Sequence, residues 1–414
     1  MRLNYRLGFF GFAQSSTLKE EGSLNAGLRD QRMGIEWVRD NIAKFGGDPW
    51  RITILGQSSG GLAVGMQILA YGGSKPLPFQ QGVAQSQSLE PGITKNFSID
   101  AMTALADYVG CNATNVHSPE TITCLRGKDT DTLLKASIAT YASDIAHNIG
   151  DIWLPAVDGD FLPAPPSKLL AEGMIGNATF MTGYTQDDLN FYTNTSIATT
   201  KDTYDFVRAY LPGLTEASLQ NLLSLYPSNE FTPPAGANLS TEFYRSARIF
   251  RDVLMVCPSG LYGYAVASTV QTPVYLYDFN QTIVDTILGD ILNVSGLGVG
   301  HTSEFAYVFD SFQAYNSSAH PIHPSQADYH LMQRASRSWS TFAATGDPRG
   351  HGAHNTLWSW STAYRDQADQ AGPFIMTIGG PHEGLSPAGG VRDQRLMERC
   401  EFLNDPAIID ALGY

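Results

Sequence analysis

Between residues 28 and 45 the apolar side chains Met33, Ile35, Trp37, Val38, Ile42 and Phe45 recur at helical spacing, which predicts a helix that buries one face. Gly46-Gly47-Asp48-Pro49 stops it, because glycine relaxes the backbone and proline cannot continue the hydrogen-bond ladder. The short β-favouring run 52–55 then predicts a buried strand, and 62–71, after Gly60-Gly61, a second helix. Further strands are predicted at 179–182 and at 272–279, where bulky residues alternate in TPVYLYDF. Residues 336–344 predict a helix that ends at Thr345-Gly346-Asp347-Pro348. Alternating strand and helix over the first hundred residues implies an α/β fold with a mostly parallel central sheet flanked by helices. Residues 111–250 are mostly helical in pattern, with turns rich in proline and glycine. Repeats, low-complexity tracts and long linkers are absent, so residues 1–414 are expected to form one domain, with a helical cap inserted at roughly 111–250.

Composition narrows the class. Hydrophobic residues make up 43% of the chain and charged residues 16%, which describes an ordinary core-former and excludes a disordered chain. The formal charge of −14 repels phosphate backbones and disfavours nucleic acid as a partner. Apolar runs all fall short of the roughly 18 residues that a membrane span needs. Four cysteines, Cys111, Cys124, Cys257 and Cys400, permit two disulfides. Eight glycosylation sequons begin at Asn96, Asn112, Asn177, Asn194, Asn238, Asn280, Asn293 and Asn316. Sequons and pairable cysteines together point to a secreted protein. Residues 1–15 imitate a signal peptide, with arginines before an apolar run, but Gly8 and Gly11 interrupt it and a small-x-small cleavage site is missing. An export signal is therefore expected outside this chain.

Chemistry enters with Gly56-Gln57-Ser58-Ser59-Gly60, a G-x-S-x-G pattern placed between a predicted strand and a predicted helix. A serine at the tip of such a turn is held in a strained backbone, and its hydroxyl points out of the sheet. Flanking glycines make room for the crossing of strand and helix. The amide of Ser59 can then donate to an oxyanion. The longer string from Phe45 to Gly60 (FGGDPWRITILGQSSG) resembles the serine signature of the type-B carboxylesterase/lipase family. NAGLRDQR at 25–32 and WVRDNI at 37–42 are similar to the run that precedes that signature in the same family.

The resemblance covers essentially the whole chain and implies an α/β-hydrolase fold. It also implies a serine nucleophile, Ser58, served by a histidine and a carboxylate that follow in the order Ser, Asp/Glu, His. Of nine histidines, His117 and His147 come too early. His320, His323, His330, His351, His354 and His382 lie in polar or Pro/Gly-rich surroundings. His301 follows Gly296-Leu-Gly-Val-Gly300 and precedes Thr302-Ser-Glu304, which resembles the family's histidine loop. For the acid, alignment on Gly183 selects Asp188 where the family usually has Glu, with Leu189 in place of the family's next glycine; Asp187 is the rival. Gln57, Ser86 and Glu304 are expected to support the histidine. The resemblance pairs Cys111 with Cys124 and Cys257 with Cys400, and it requires neither metal nor cofactor.

The family's usual N-terminal strands and His-Gly-Gly-Gly loop, which supplies the main oxyanion donors, have no counterpart in the sequence. The chain as written is therefore expected either to be a shortened form of a longer protein or to fold poorly and turn over slowly. Two functions follow. The first is a serine carboxylic ester hydrolase, either carboxylesterase or lipase, that acts on a small-molecule or lipid ester through an acyl-enzyme. The second is a catalytically impaired or non-catalytic binding relative. Neutral Gln57 before the nucleophile, where choline esterases commonly carry glutamate, disfavours choline esters.

Overall fold

A computed structural model of the chain describes residues 1–93, 95–112, 115–148, 151–350, 355–364, 372–391 and 394–414, the side chains of 144–148 excepted. Six strands form one sheet in the order of the chain: β1 (Thr53–Gln57), β2 (Gln81–Gln85), β3 (Thr179–Thr185), β4 (Val274–Phe279), β5 (Phe374–Ile378) and β6 (Gly384–Pro387). The first five run parallel and β6 closes the edge antiparallel. Parallel neighbours need crossovers, and the helices that supply them cover both faces of the sheet.

Alternation along β4 shows how the two layers are assigned. Val274 and Leu276 join Leu62, Met66 and Val266 on one face, where the helices Ser59–Leu69 and Cys257–Thr269 pack. Tyr275, Tyr277 and Phe279 join Leu331, Trp339 and Phe342 on the other, against the helix Gln326–Thr345. That helix starts ten residues before the sequence pattern predicts. Ser325 and Asp328 form a reciprocal capping box at its start, and Leu331, Met332 and Ala335 extend its buried stripe.

The first fifty residues depart from the predicted alternation. They form the helices Gly8–Phe12, Ser16–Glu20 and Ala26–Asn41, and the first strand begins only at Thr53. The apolar run that imitates a signal peptide is the first of these helices. Phe9 is buried there, edge-on to Trp153 at 5.8 Å between ring centres. β1 lies at the edge of the sheet, beside a groove of about 650 Å³ lined by Ile35, Val38, Ile42 and Ile54. Trp37, Phe45, Trp50 and Leu55 are exposed large apolar side chains in the same stretch of chain.

Cys111 is bonded to Cys124, and Cys257 to Cys400. The second bridge ties the helix Cys257–Thr269 to the helix Leu396–Leu403 and closes the longer loop, with a separation of 143 residues against 13. On the chain-entropy model these loops are worth about 5 and about 3 kcal/mol. Replacing Cys257 and Cys400 by serine should therefore lower the urea midpoint more than replacing Cys111 and Cys124. Equal shifts would contradict the loop-length account.

Candidate active site

Ser58 stands between the end of β1 and the helix Ser59–Leu69, with φ 59° and ψ −122°. An L-residue rarely adopts that backbone, and the strain costs about 1–3 kcal/mol. Two hydrogen bonds hold it there. The Ser58 amide donates to the Gln85 carbonyl at 2.9 Å, and the Leu62 amide donates to the Ser58 carbonyl at 2.9 Å. A Cβ on Gly56 would stand 2.1 Å from the Gly60 carbonyl oxygen, so no side chain fits there. A Cβ on Gly60 would meet open space, so the close crossing of strand and helix rests on Gly56. Ser59 opens the helix, where backbone amides lack intrahelical acceptors and the dipole favours negative charge.

The turn after β3 and the loop after Asn293 meet at this point. Asp188 accepts from His301 Nδ1 through Oδ1, and its Oδ2 accepts from Ser86 Oγ at 2.8 Å and from the Thr185 amide at 2.9 Å. Burial opposes the Asp188 charge, but the field and hydrogen bond of His301, then the Thr185 and Ser86 donors, outweigh it and hold the carboxyl below its ordinary range. Burial likewise opposes the imidazolium, yet Asp188 raises the His301 pKa above the ordinary value. An ionised carboxylate can only accept, so the neutral ring carries its proton on Nδ1 and presents the Nε2 lone pair.

Asp187 has a different task. Its Oδ2 accepts from the Val299 amide at 3.0 Å, and its own amide donates to the Val299 carbonyl at 3.0 Å. One aspartate thus clamps the backbone of the loop whose histidine the next one holds. Gly298 has φ +73°, and a Cβ there would stand 2.2 Å from Asp187 Oδ2, so glycine is required.

The expected supporting residues Gln57 and Glu304 stand near His301, joined by Tyr192, for which the sequence gives no signal. Gln57 Nε2 lies 3.0 Å from His301 Nε2 and occupies the lone pair of the neutral ring. Tyr192 packs edge-on to the imidazole with ring centres 5.5 Å apart. Glu304 is fully buried and accepts from Gln85 Nε2 at 3.1 Å; burial, then the Asp188 charge, pushes its pKa up to about 7. Ser58, Ser59 and His301 line one cavity of about 300 Å³. His117, His323, His330 and His382 are exposed and His320 is partly exposed. His351, His354 and the side chain of His147 lie outside the described residues. Of the sequon asparagines, Asn96, Asn177, Asn194, Asn238, Asn293 and Asn316 are exposed, whereas Asn112 and Asn280 are partly buried. Among the described residues no group of three or more His, Cys, Asp or Glu side chains is placed to hold a metal ion, and no helix is long and apolar enough to cross a membrane.

Residues 1–380 match the model of the carboxylesterase family. The chain belongs to that family. It is a carboxylic ester hydrolase by descent. It is 46% identical over 418 residues to a protein of Arthroderma benhamiae named a secreted lipase, an alignment that spans 100% of this chain and 72% of the relative. It is 30% identical to a protein of Byssochlamys spectabilis named an inactive carboxylesterase-like protein, over 97% of this chain and 70% of that one. The fold is similar to the crystal structure of Aspergillus niger EstA, with a TM-score of 0.78 at 21% identity, over 99% of this chain and 74% of the other.

The tight crossing at Gly56 generates a direct test. Gly56→Ala should destabilise the chain by about 1–3 kcal/mol through overpacking, read as a fall in the urea midpoint. An unchanged midpoint would show that strand and helix do not meet this closely.

Proposed function

We propose that the protein hydrolyses carboxylic esters of small molecules or lipids with Ser58 as nucleophile, His301 as general base and Asp188 as the carboxylate that orients it. The observation that carries this reading is the Asp188–His301 hydrogen bond, at the wall of the cavity that Ser58 also lines. In the first half-reaction Ser58 Oγ attacks the ester carbonyl and its proton passes to His301 Nε2. The Ser59 amide donates to the oxyanion, the alkoxide leaves with the proton held by His301, and an acyl-serine remains. Water then enters through the same base and releases the acid. For the first proton transfer the Gln57 amide must give up Nε2 to the serine hydroxyl.

The neutral charge of Gln57 disfavours choline esters. Secretion as a glycoprotein is supported by two disulfides, six exposed sequon asparagines and relatives named as secreted. The second reading, a non-catalytic binding relative, is favoured by Gln57 on the base nitrogen and by the relative named inactive.

Fluorophosphonate labelling separates the two. The esterase reading expects one adduct on Ser58, abolished in Ser58→Ala along with a fall of about 10⁴-fold or more in p-nitrophenyl ester turnover. A folded protein that does not label, or a Ser58→Ala variant that keeps full rate, sinks it. The pH profile follows from His301. Catalysis needs the neutral ring, so kcat/KM should fall as pH drops through the raised pKa, with its acid midpoint above about 6.5. Asp188→Asn removes the largest of the interactions that raise this value and leaves burial, which lowers it, opposed only by the fields of Glu304 and Asp151. The acid midpoint should move below that of the parent, and kcat should fall on the order of 10⁴-fold. An unmoved midpoint would exclude Asp188 as the partner.

A further inference from the structure

The cavity beside Ser58 contains two carboxyl groups that the proposed reaction does not use. Glu90, in the turn after β2, is buried to 1% exposure, and its Oε2 accepts from the Tyr210 hydroxyl at 3.2 Å. Asp151 lies against it, close enough for the two carboxyls to share a proton. Both residues line the same cavity as Ser58 and His301, and among the described residues that lining holds no lysine or arginine. Glu90 Oε1 is buried and receives no N–H or hydroxyl hydrogen bond.

Such an arrangement is costly to bury. Burial, then the Asp151 charge, holds Glu90 well above the ordinary carboxylate range, and burial also raises Asp151. Two adjacent buried carboxyls do not both ionise, so the pair keeps one proton and one negative charge near neutral pH. A plain alkyl chain laid against it would take that charge further from water and add no donor, at a desolvation cost that hydrocarbon contact does not offset. A ligand group that donates hydrogen bonds would satisfy Glu90 Oε1 and the shared charge together. Apolar discrimination remains available from Leu189, Leu254 and Met255 on the rest of the lining.

We propose that Glu90 and Asp151 form a polar subsite that recognises a hydrogen-bond-donating group, hydroxyl or ammonium, on the substrate part that reaches inward from the ester carbon. The inference rests on the reading of Ser58 as the nucleophile only for the identity of that substrate as an ester. The pair makes the cavity selective against unsubstituted acyl chains, because the penalty for leaving a buried polar group unpaired exceeds the gain from one more methylene.

The test separates binding from turnover. Ser58→Ala protein is titrated by NMR with hexanamide, 6-hydroxyhexanamide and 6-aminohexanamide, and the matching p-nitrophenyl hexanoates are assayed on the parent chain. The subsite predicts that at least one substituted amide binds about tenfold tighter than hexanamide. Glu90→Leu, added to Ser58→Ala, should erase that preference. Glu90→Gln combined with Asp151→Asn, which keeps shape and hydrogen bonding but removes both ionisable groups, should erase any preference for the ammonium and retain one for the hydroxyl. Equal binding of the three amides, no binding of any, or a preference unchanged in both Glu90 variants overturns the proposal. Should Glu90→Leu fail to fold, the Glu90→Gln/Asp151→Asn comparison still decides it. Selective binding in a parent chain that hydrolyses none of the esters supports the subsite and removes the esterase reading instead.

Discussion

Because β1, β2 and β3 pair in parallel with Gln57, Gln85 and Gly183 side by side, β1 and β2 leave the sheet at the same level and β3 two residues further on, after Thr185. Ser58 follows the first, Ser86 the second, and the turn that carries Asp187 and Asp188 the third. A shift of one residue in any of these pairings would turn the side chains to the opposite face and pull the three exits out of line. The Ser58 amide donates to Gln85, and the Ser86 amide donates to Gly183, so the ladder continues past the strand ends and stitches the exits together. The left-handed backbone of Ser58 persists because this surrounding structure over-determines it.

The acid turn is held from behind as well. The Gln186 amide donates to Phe279 of β4 at 2.9 Å, and Arg251 Nη1 donates to the Gln186 carbonyl at 2.7 Å. Arg251 is buried and paired with Asp252, and Gln394 links Arg251, Gln186, Tyr184 and Asp278 into one network. A buried arginine is stable only with its donors satisfied, so this network fixes the turn as firmly as packing does. Asp187 passes that rigidity to the glycine-rich histidine loop through its two backbone hydrogen bonds to Val299. His301 therefore meets Asp188 on a loop anchored at both partners.

The cavity has two kinds of wall. One kind is Ser58, the Ser59 amide and His301, which carry the proposed chemistry. The other is the carboxyls of Glu90 and Asp151 and the phenols of Tyr141 and Tyr192, together with aliphatic side chains. The second wall is where substrate choice resides, since it differs in charge and hydrogen-bond capacity from a simple hydrocarbon pocket.

The elements that carry this site were legible in sequence where the signal is local. A strand, a G-x-S-x-G turn and a helix occupy some twenty consecutive residues, and a glycine-rich loop marks His301, so short-range pattern suffices to locate both. Helix 26–41 and the core of β4 follow from periodicity alone. The extra turns at the start of helix 326–345 depended on the Ser325–Asp328 cap, and the helical fate of residues 8–12 on packing against Trp153; neither is a matter of hydrophobic spacing. Alignment on Gly183 selected Asp188 with Asp187 as its rival, and only the fold gave the two separate partners, because the direction of each carboxylate is set by the turn after β3. The Gln57–His301 contact and the Glu90–Asp151 pair join residues 244 and 61 positions apart, and no pattern within one segment encodes a contact made between two. What the chain by itself determined is which residue types stand at which turns; what the tertiary structure decided is which of them share a cavity, since a parallel sheet brings together strand ends that the crossover helices keep far apart in sequence.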